Sequence, residues 1–168
     1  MGMGEPMDNL DNVLRAVRIL SDRQGLAIPL PSITISTVGH VDGIRQLAIL
    51  AAMPPPEGFP RLRLAVSLNA PNDALRSQLM PVNRQWNLAQ LREALLEFPL
   101  PRPRDALFLE YVLLDGVNDT HQHALEIVEL LRGIRACVNL IPYNPGPDSP
   151  YKRPPDTRGR EFLQWLLD

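Results

Sequence analysis

A single cysteine, Cys137, is all the thiol this chain carries. That excludes an internal disulfide framework and fits a reducing, cytoplasmic compartment. It also excludes a self-contained iron–sulfur cluster or a Cys-based zinc site, since either needs several thiolates. Lysine is equally scarce: of 17 basic residues, only Lys152 is not arginine. Apolar runs are short, and none approaches the roughly 20 residues that cross a bilayer. The first residues hold no charged leader followed by an apolar segment, so no secretory signal is expected. The net charge of -2 does not advertise a nucleic-acid surface. Low-complexity tracts and close repeats are also missing.

What is present suits one domain over residues 1–168, long enough to bury roughly two-thirds of its unfolded surface. Helix and strand signals alternate. Leu10, Val13, Leu14, Val17 and Leu20 recur at helical spacing, with Asp8 or Asn9 as N-cap and Gly25 beyond the end. Residues 32–37 (SITIST) predict a short β-branched strand. Val41, Ile44, Leu47, Ala48 and Ala51 mark a helix stopped by Pro54-Pro55-Pro56. A strand over 62–68 precedes a short helix begun at Asn72 or Asp73. Asn87 and Gln90 form a capping-box-like start for a helix over 88–98. Residues 106–114 give the longest strand. A helix from about Thr120, ending near Gly133, a strand over 137–141 and a helix over 157–167 complete the chain.

The strands are nearly continuous apolar runs, which predicts cover on both faces. Four strand–helix units follow a leading helix, and this rhythm argues for a parallel α/β sheet. A full eightfold barrel needs about 250 residues. The expected fold is therefore a partial (βα) barrel of parallel strands. The proline-rich stretches 53–60, 99–103 and 145–155 are expected as loops within the domain.

The polar residues fall where such a fold binds ligands, at the carboxyl ends of its strands. Met1-Gly2-Met3-Gly4-Glu5-Pro6 opens the chain. Gly2 and Gly4 let a ligand approach the main chain, and Glu5 offers an acceptor for an ammonium group. Such a motif belongs after a strand for which this chain has no residues. Ser36 and Thr37 end the first expected strand, Ser67 and Asn69 the next. Asn118-Asp119 and Asn144 follow the remaining two. Hydroxyls, amides and one carboxylate suit a polar organic ligand with amino, carboxylate and ribose groups. The same residue types are also ordinary caps and turns. No strong nucleophile or metal cluster is among them.

Other residues invite two readings each. His121 and His123 sit two apart on a helix and so do not share a face for a metal. His40 is either an exposed loop histidine or a residue that reaches ligand or RNA. Glu110, flanked by apolar residues, must be paired if buried, and either orients a barrel-interior network or caps a neighbouring backbone. Lys152, Arg153, Arg158 and Arg160 form either a phosphate-facing patch or a solvated surface. Trp86 and Trp165 are expected to pack, and Cys137 is expected to be a small core residue.

Six segments carry a family resemblance: GMGEP at 2–6, TISTVG at 34–39, LAVSLNAPND at 64–73, LMPVN at 79–83, LEYVLLDGVND at 109–119 and VNLIPYNPGP at 138–147. In this order they resemble the RlmN/Cfr-type radical S-adenosylmethionine enzymes, which methylate an adenine of 23S ribosomal RNA. The resemblance spans almost the whole chain. It implies a radical S-adenosylmethionine barrel lacking its first strand and its C-terminal segment. It implies S-adenosyl-L-methionine as ligand. Gly4 and Glu5 match the family's pair at the methionine amino group, and Ser36 matches its strand-end serine. Ser67, Leu68 and Asn69 match a three-residue contact whose last member is commonly His. Asn144 matches the asparagine of the family's NLIP-x-N segment.

The departures also matter. The family's CxxxCxxC motif, which holds a 4Fe-4S cluster that reduces S-adenosylmethionine to a 5′-deoxyadenosyl radical, lies upstream of GMGEP. Its methyl-carrying cysteine lies in a later C-terminal segment. Cys137 matches neither, so no catalytic residue is assigned. The implied partner is RNA: ribosomal RNA, with transfer RNA as second candidate. The chain is expected to supply the sulfonium ligand's cradle and to be inactive by itself. The alternatives are a non-catalytic S-adenosylmethionine or nucleotide-binding module, or a gene fragment without independent function.

Overall fold

A computed structural model describes residues 4–168. Met1, Gly2 and Met3, part of the expected opening motif, lie outside the described residues. Four strands, β1 (Thr34–Thr37), β2 (Arg63–Ser67), β3 (Leu107–Leu113) and β4 (Ala136–Pro142), form one sheet in the order β1-β2-β3-β4. All neighbours are parallel. The connections are α2 (Val41–Ala52) after β1, α3 (Asp73–Leu79) and α4 (Leu88–Glu97) after β2, and α5 (His121–Leu130) after β3. The helix α1 (Leu10–Ser21) leads and α6 (Asp156–Leu167) closes the chain. This is the expected parallel α/β partial barrel, with element ends displaced by a residue or two.

Local chemistry sets the helix starts. Asn72 accepts from the Leu75 amide, Asn87 and Gln90 form the reciprocal capping box, and Thr120 does the same with His123. Asn9 is the N-cap of α1 but makes no side-chain cap bond, because a 3-10 turn over Pro6–Asn9 runs directly into the helix.

One face of the sheet is dry. Ile35, Leu64, Val66, Leu107, Leu109, Tyr111 and Leu113 are buried in one core with Ile44, Leu47, Leu91, Leu95, Ile127 and Phe162. Full burial of each such aliphatic side chain contributes about 1.5–3 kcal/mol. The Tyr111 hydroxyl sits in this core and donates to the Asn118 carbonyl at 2.8 Å. Burial pushes its ionisation far upward, so it stays a donor.

The expectation of cover on both faces does not hold for the described residues. Along β3 the pattern alternates strictly, with Phe108, Glu110 and Val112 only half-buried. These three point to an open face. The register extends that face sideways: Ser36 pairs with Ala65, Ala65 with Phe108, and Phe108 with Cys137. The next row is Ser67, Glu110 and Asn139. Cys137 is thus exposed and not a core residue. Its place in the two-residue period of β4 puts it beside Phe108 on the open side.

Candidate functional site

Parallel strands put every carboxyl end on one rim. Gly4, Glu5, Ser36, Ser67, Leu68, Asn69 and Asn144 all lie at or just beyond that rim. Glu5 caps the 3-10 turn: Oε1 accepts from the Met7 amide at 3.1 Å. Its other oxygen, Oε2, accepts from the Val38 amide at 2.8 Å. One carboxylate therefore fastens the Gly4-Glu5 segment to the loop after β1. Gly4 has φ +92, and a Cβ there would meet nothing within 4 Å. Among the described residues, nothing closes off its main chain.

At the end of β1, Ser36 is half-buried and lies on the open face. Thr37 turns to the core, where its hydroxyl accepts from the Gly39 and His40 amides at 3.2 Å. At the end of β2, Ser67 is 5% exposed. The Leu68 side chain lies in the core, and its backbone is engaged: the amide donates to Glu110 and the carbonyl accepts from Arg76. Only the backbone of Leu68 reaches the rim.

Asn69 takes φ 55, a left-handed conformation that Asn tolerates better than most residues. The turn swings its side chain back over the sheet. Its Oδ1 accepts from the Val112 amide at 2.9 Å, taking the place of a backbone carbonyl where β2 leaves the ladder. Its carbonyl accepts from Asn118 Nδ2 at 2.8 Å. Asn118 is fully buried and also binds the Leu114 amide and the Val112 carbonyl. It is a scaffold beneath the rim. Asn144 is exposed, and the Tyr143 amide donating to Leu113 at 3.1 Å holds this loop against the end of β3.

The residue that sequence reasoning missed is Arg76. It is fully buried on α3. Its guanidinium donates to the carbonyls of Leu68, Val38 and Ser67 at 3.2, 2.7 and 3.2 Å, and to Asn83 Oδ1 at 3.0 Å. Desolvation pulls its pKa down to about 10, countered in part by Asp73, so it remains charged at neutral pH. Gly39 makes room for it: at φ +100, a Cβ would lie 2.8 Å from Arg76 Nη2. A lone arginine in a polar seven-residue helix reads as a surface cation. No periodic signal marks it.

Glu110 adds a second carboxylate to the open face, accepting from Asn139 Nδ2 at 2.7 Å. His40 is no exposed loop residue. Its Nδ1 caps α2 by accepting from Gly43, and its ring lies 4.1 Å from that of buried Trp86. His121 packs against Trp165 and His123 belongs to a cap. Of the basic cluster, Arg153 pairs with Asp156 and Arg158 with Glu161.

Among the described residues, no three His, Cys, Asp or Glu are placed to hold a metal ion. They do not fit an iron–sulfur cluster. They offer a glycine backbone, a half-buried carboxylate, and a rim of hydroxyls and amides.

No protein-family model matches the chain. The chain is 46% identical over its full 168 residues to the probable dual-specificity RNA methyltransferase RlmN of Koribacter versatilis, covering 45% of that protein. It is 45% identical over 166 residues to the dual-specificity RNA methyltransferase RlmN of Syntrophobacter fumaroxidans, covering 46% of it. It therefore spans about half the length of the curated relatives it matches. The crystal structure of a radical SAM methyltransferase from Sphaerobacter thermophilus superposes with TM-score 0.86 at 43% identity, over 99% of this chain and 46% of that one. A domain of a pyruvate-formate lyase-activating enzyme from Bacteroides vulgatus shares the fold alone, with TM-score 0.65 at 15% identity, over 100% of this chain and 91% of that one. Identity of this order along the whole chain, on a shared parallel half-barrel, makes this chain a member of the RlmN-type radical S-adenosylmethionine methyltransferase family, matching somewhat under half of its relatives.

Proposed function

We propose that this segment is the S-adenosylmethionine cradle of an RNA adenine methyltransferase. The supporting observation is the single rim that gathers Gly4, Glu5, Ser36, Ser67, Asn69 and Asn144, each in a segment shared with the family. Three interstrand spacings separate β1 from β4, roughly 14 Å. That is the span of a nucleoside joined to an amino acid.

The chain's own residues divide the work. A carboxylate has about four lone-pair sites. Glu5 uses two on Met7 and Val38, which leaves two for the ligand's ammonium. The Ser36 and Ser67 hydroxyls and the Asn144 amide receive the carboxylate and ribose. Leu68 and Asn69 shape the rim between them, their backbone held in place by Arg76 and Asn118. When bound, S-adenosylmethionine supplies the methyl group destined for RNA. The described residues bind and orient; they provide no redox centre. The chain by itself is accordingly a binding unit that does not methylate.

A titration of the isotope-labelled chain with S-adenosylmethionine, followed by amide NMR shifts, tests this reading. Shifts are expected at Gly4, Ser36, Ser67 and Asn144 and not along the outer face of α1. Saturating ligand with no shifts at the rim would overturn it.

A further inference from the structure

The opposite end of the sheet carries a second constellation, at the amino ends of β2, β3 and β4. A cleft of about 230 Å³ opens there, with Arg61, Arg63, Arg104, Asp105, Phe108 and Cys137 in its lining. Three arginines and one aspartate line it, a local excess of positive charge on a chain whose net charge is -2. The carboxylate is partly committed, since Asp105 lies 3.6 Å from an Arg61 terminal nitrogen.

Arg61 is the unusual member. It takes φ 66, a conformation that non-glycine residues seldom adopt and that collects at functional positions. Its Nε is buried and has no hydrogen-bond partner. Buried donors are nearly always satisfied, so an orphan guanidinium N–H beside a cleft asks for an acceptor. The wall is held rigid from outside: Arg135 donates to the Leu100 and Arg102 carbonyls, both at 2.7 Å. The guanidinium of Arg63 lies 5.6 Å from the centroid of the Phe108 ring.

We infer that this cleft binds a phosphate group. A tetrahedral oxyanion accepts several charge-assisted hydrogen bonds at once, which suits a cleft lined by three arginines. A cation is repelled, and a water molecule satisfies Arg61 Nε without meeting the charge. The cleft exceeds a bare phosphate, leaving room for an attached ribose. The phosphate belongs either to a free nucleotide or to an RNA backbone. The site is independent of the carboxyl-end rim.

The test titrates the full chain with inorganic phosphate at fixed ionic strength, followed by calorimetry and amide NMR. Saturable binding with shifts at Arg61, Arg63 and Arg104 is expected. Arg61→Gln and Arg104→Gln should each weaken it about tenfold or more, the worth of a charged hydrogen bond. Arg160→Gln, on α6, should not. Arg104 is exposed, so its variant keeps the fold even if Arg61→Gln does not. Adenosine monophosphate and a short oligoribonucleotide with a 5′-hydroxyl end distinguish the sources: competition by the first alone means a terminal phosphate, and by the second a backbone diester. Absence of saturable phosphate binding, or binding that Arg104→Gln leaves unchanged, overturns the inference.

Discussion

Arg76 donates to the Val38 carbonyl at 2.7 Å, across the gap between the ends of β1 and β2. The same guanidinium holds Ser67 and Leu68, while Glu5 holds Val38 by its amide. The loop after β1 is thus pinned from both sides, by a buried cation and a half-buried anion. The rim owes its shape to these two charges.

Loss of the cation should therefore be expensive. Arg76→Gln leaves several buried carbonyls without donors and should cost at least about 3 kcal/mol. Gly39→Ala drives a methyl toward the same guanidinium at a left-handed φ and should cost about 1–3 kcal/mol. Urea unfolding midpoints check both. A loss under about 1 kcal/mol for Arg76→Gln would mean the clamp holds nothing.

Glu5 has a double role, and its variants should show both. Glu5→Gln can accept through one side-chain oxygen only, so the Met7 or Val38 amide loses its partner. Melting temperature and ligand affinity should fall together. The affinity loss should be roughly ten- to a hundredfold, from a charge-assisted bond worth about 1.5–3 kcal/mol. Calorimetry beside thermal melts checks this. A variant that melts lower yet binds S-adenosylmethionine equally well would leave Glu5 a cap and nothing more.

Cys137 offers a check on the open face itself. Its thiol is exposed in the folded chain. A chromogenic disulfide reagent should titrate it in the native protein about as fast as in urea. A thiol that reacts only after unfolding would show that the open face is covered.

The strands and helices were legible because local chemistry dictates them: β-branched and apolar runs for β1 to β4, Asn and Thr caps for α3, α4 and α5. The open face was not. Phe108, Val112 and Ile141 lie on the uncovered side, so the strands read as apolar throughout and suggest burial on both faces. Cys137 was misplaced for the same reason, since a thiol between apolar neighbours looks buried until the register is known. The rim residues were legible as a group because parallel topology fixes which end they occupy. Arg76 was not, because its partners are backbone carbonyls from distant segments, and a sequence does not display its carbonyls. His40 looked like a loop residue because its cap partner, Gly43, carries no side chain to betray the bond.

The most direct test of the cradle is the S-adenosylmethionine dissociation constant of Asn144→Ala against wild type, with melting temperatures alongside. Asn144 is exposed, so the variant should melt with the wild type. Losing its amide should weaken the ligand by about two- to tenfold, the worth of a neutral hydrogen bond at about 0.5–1.5 kcal/mol. Saturable wild-type binding with that selective loss is the predicted result. No wild-type binding, or identical constants for the two proteins, would contradict the account.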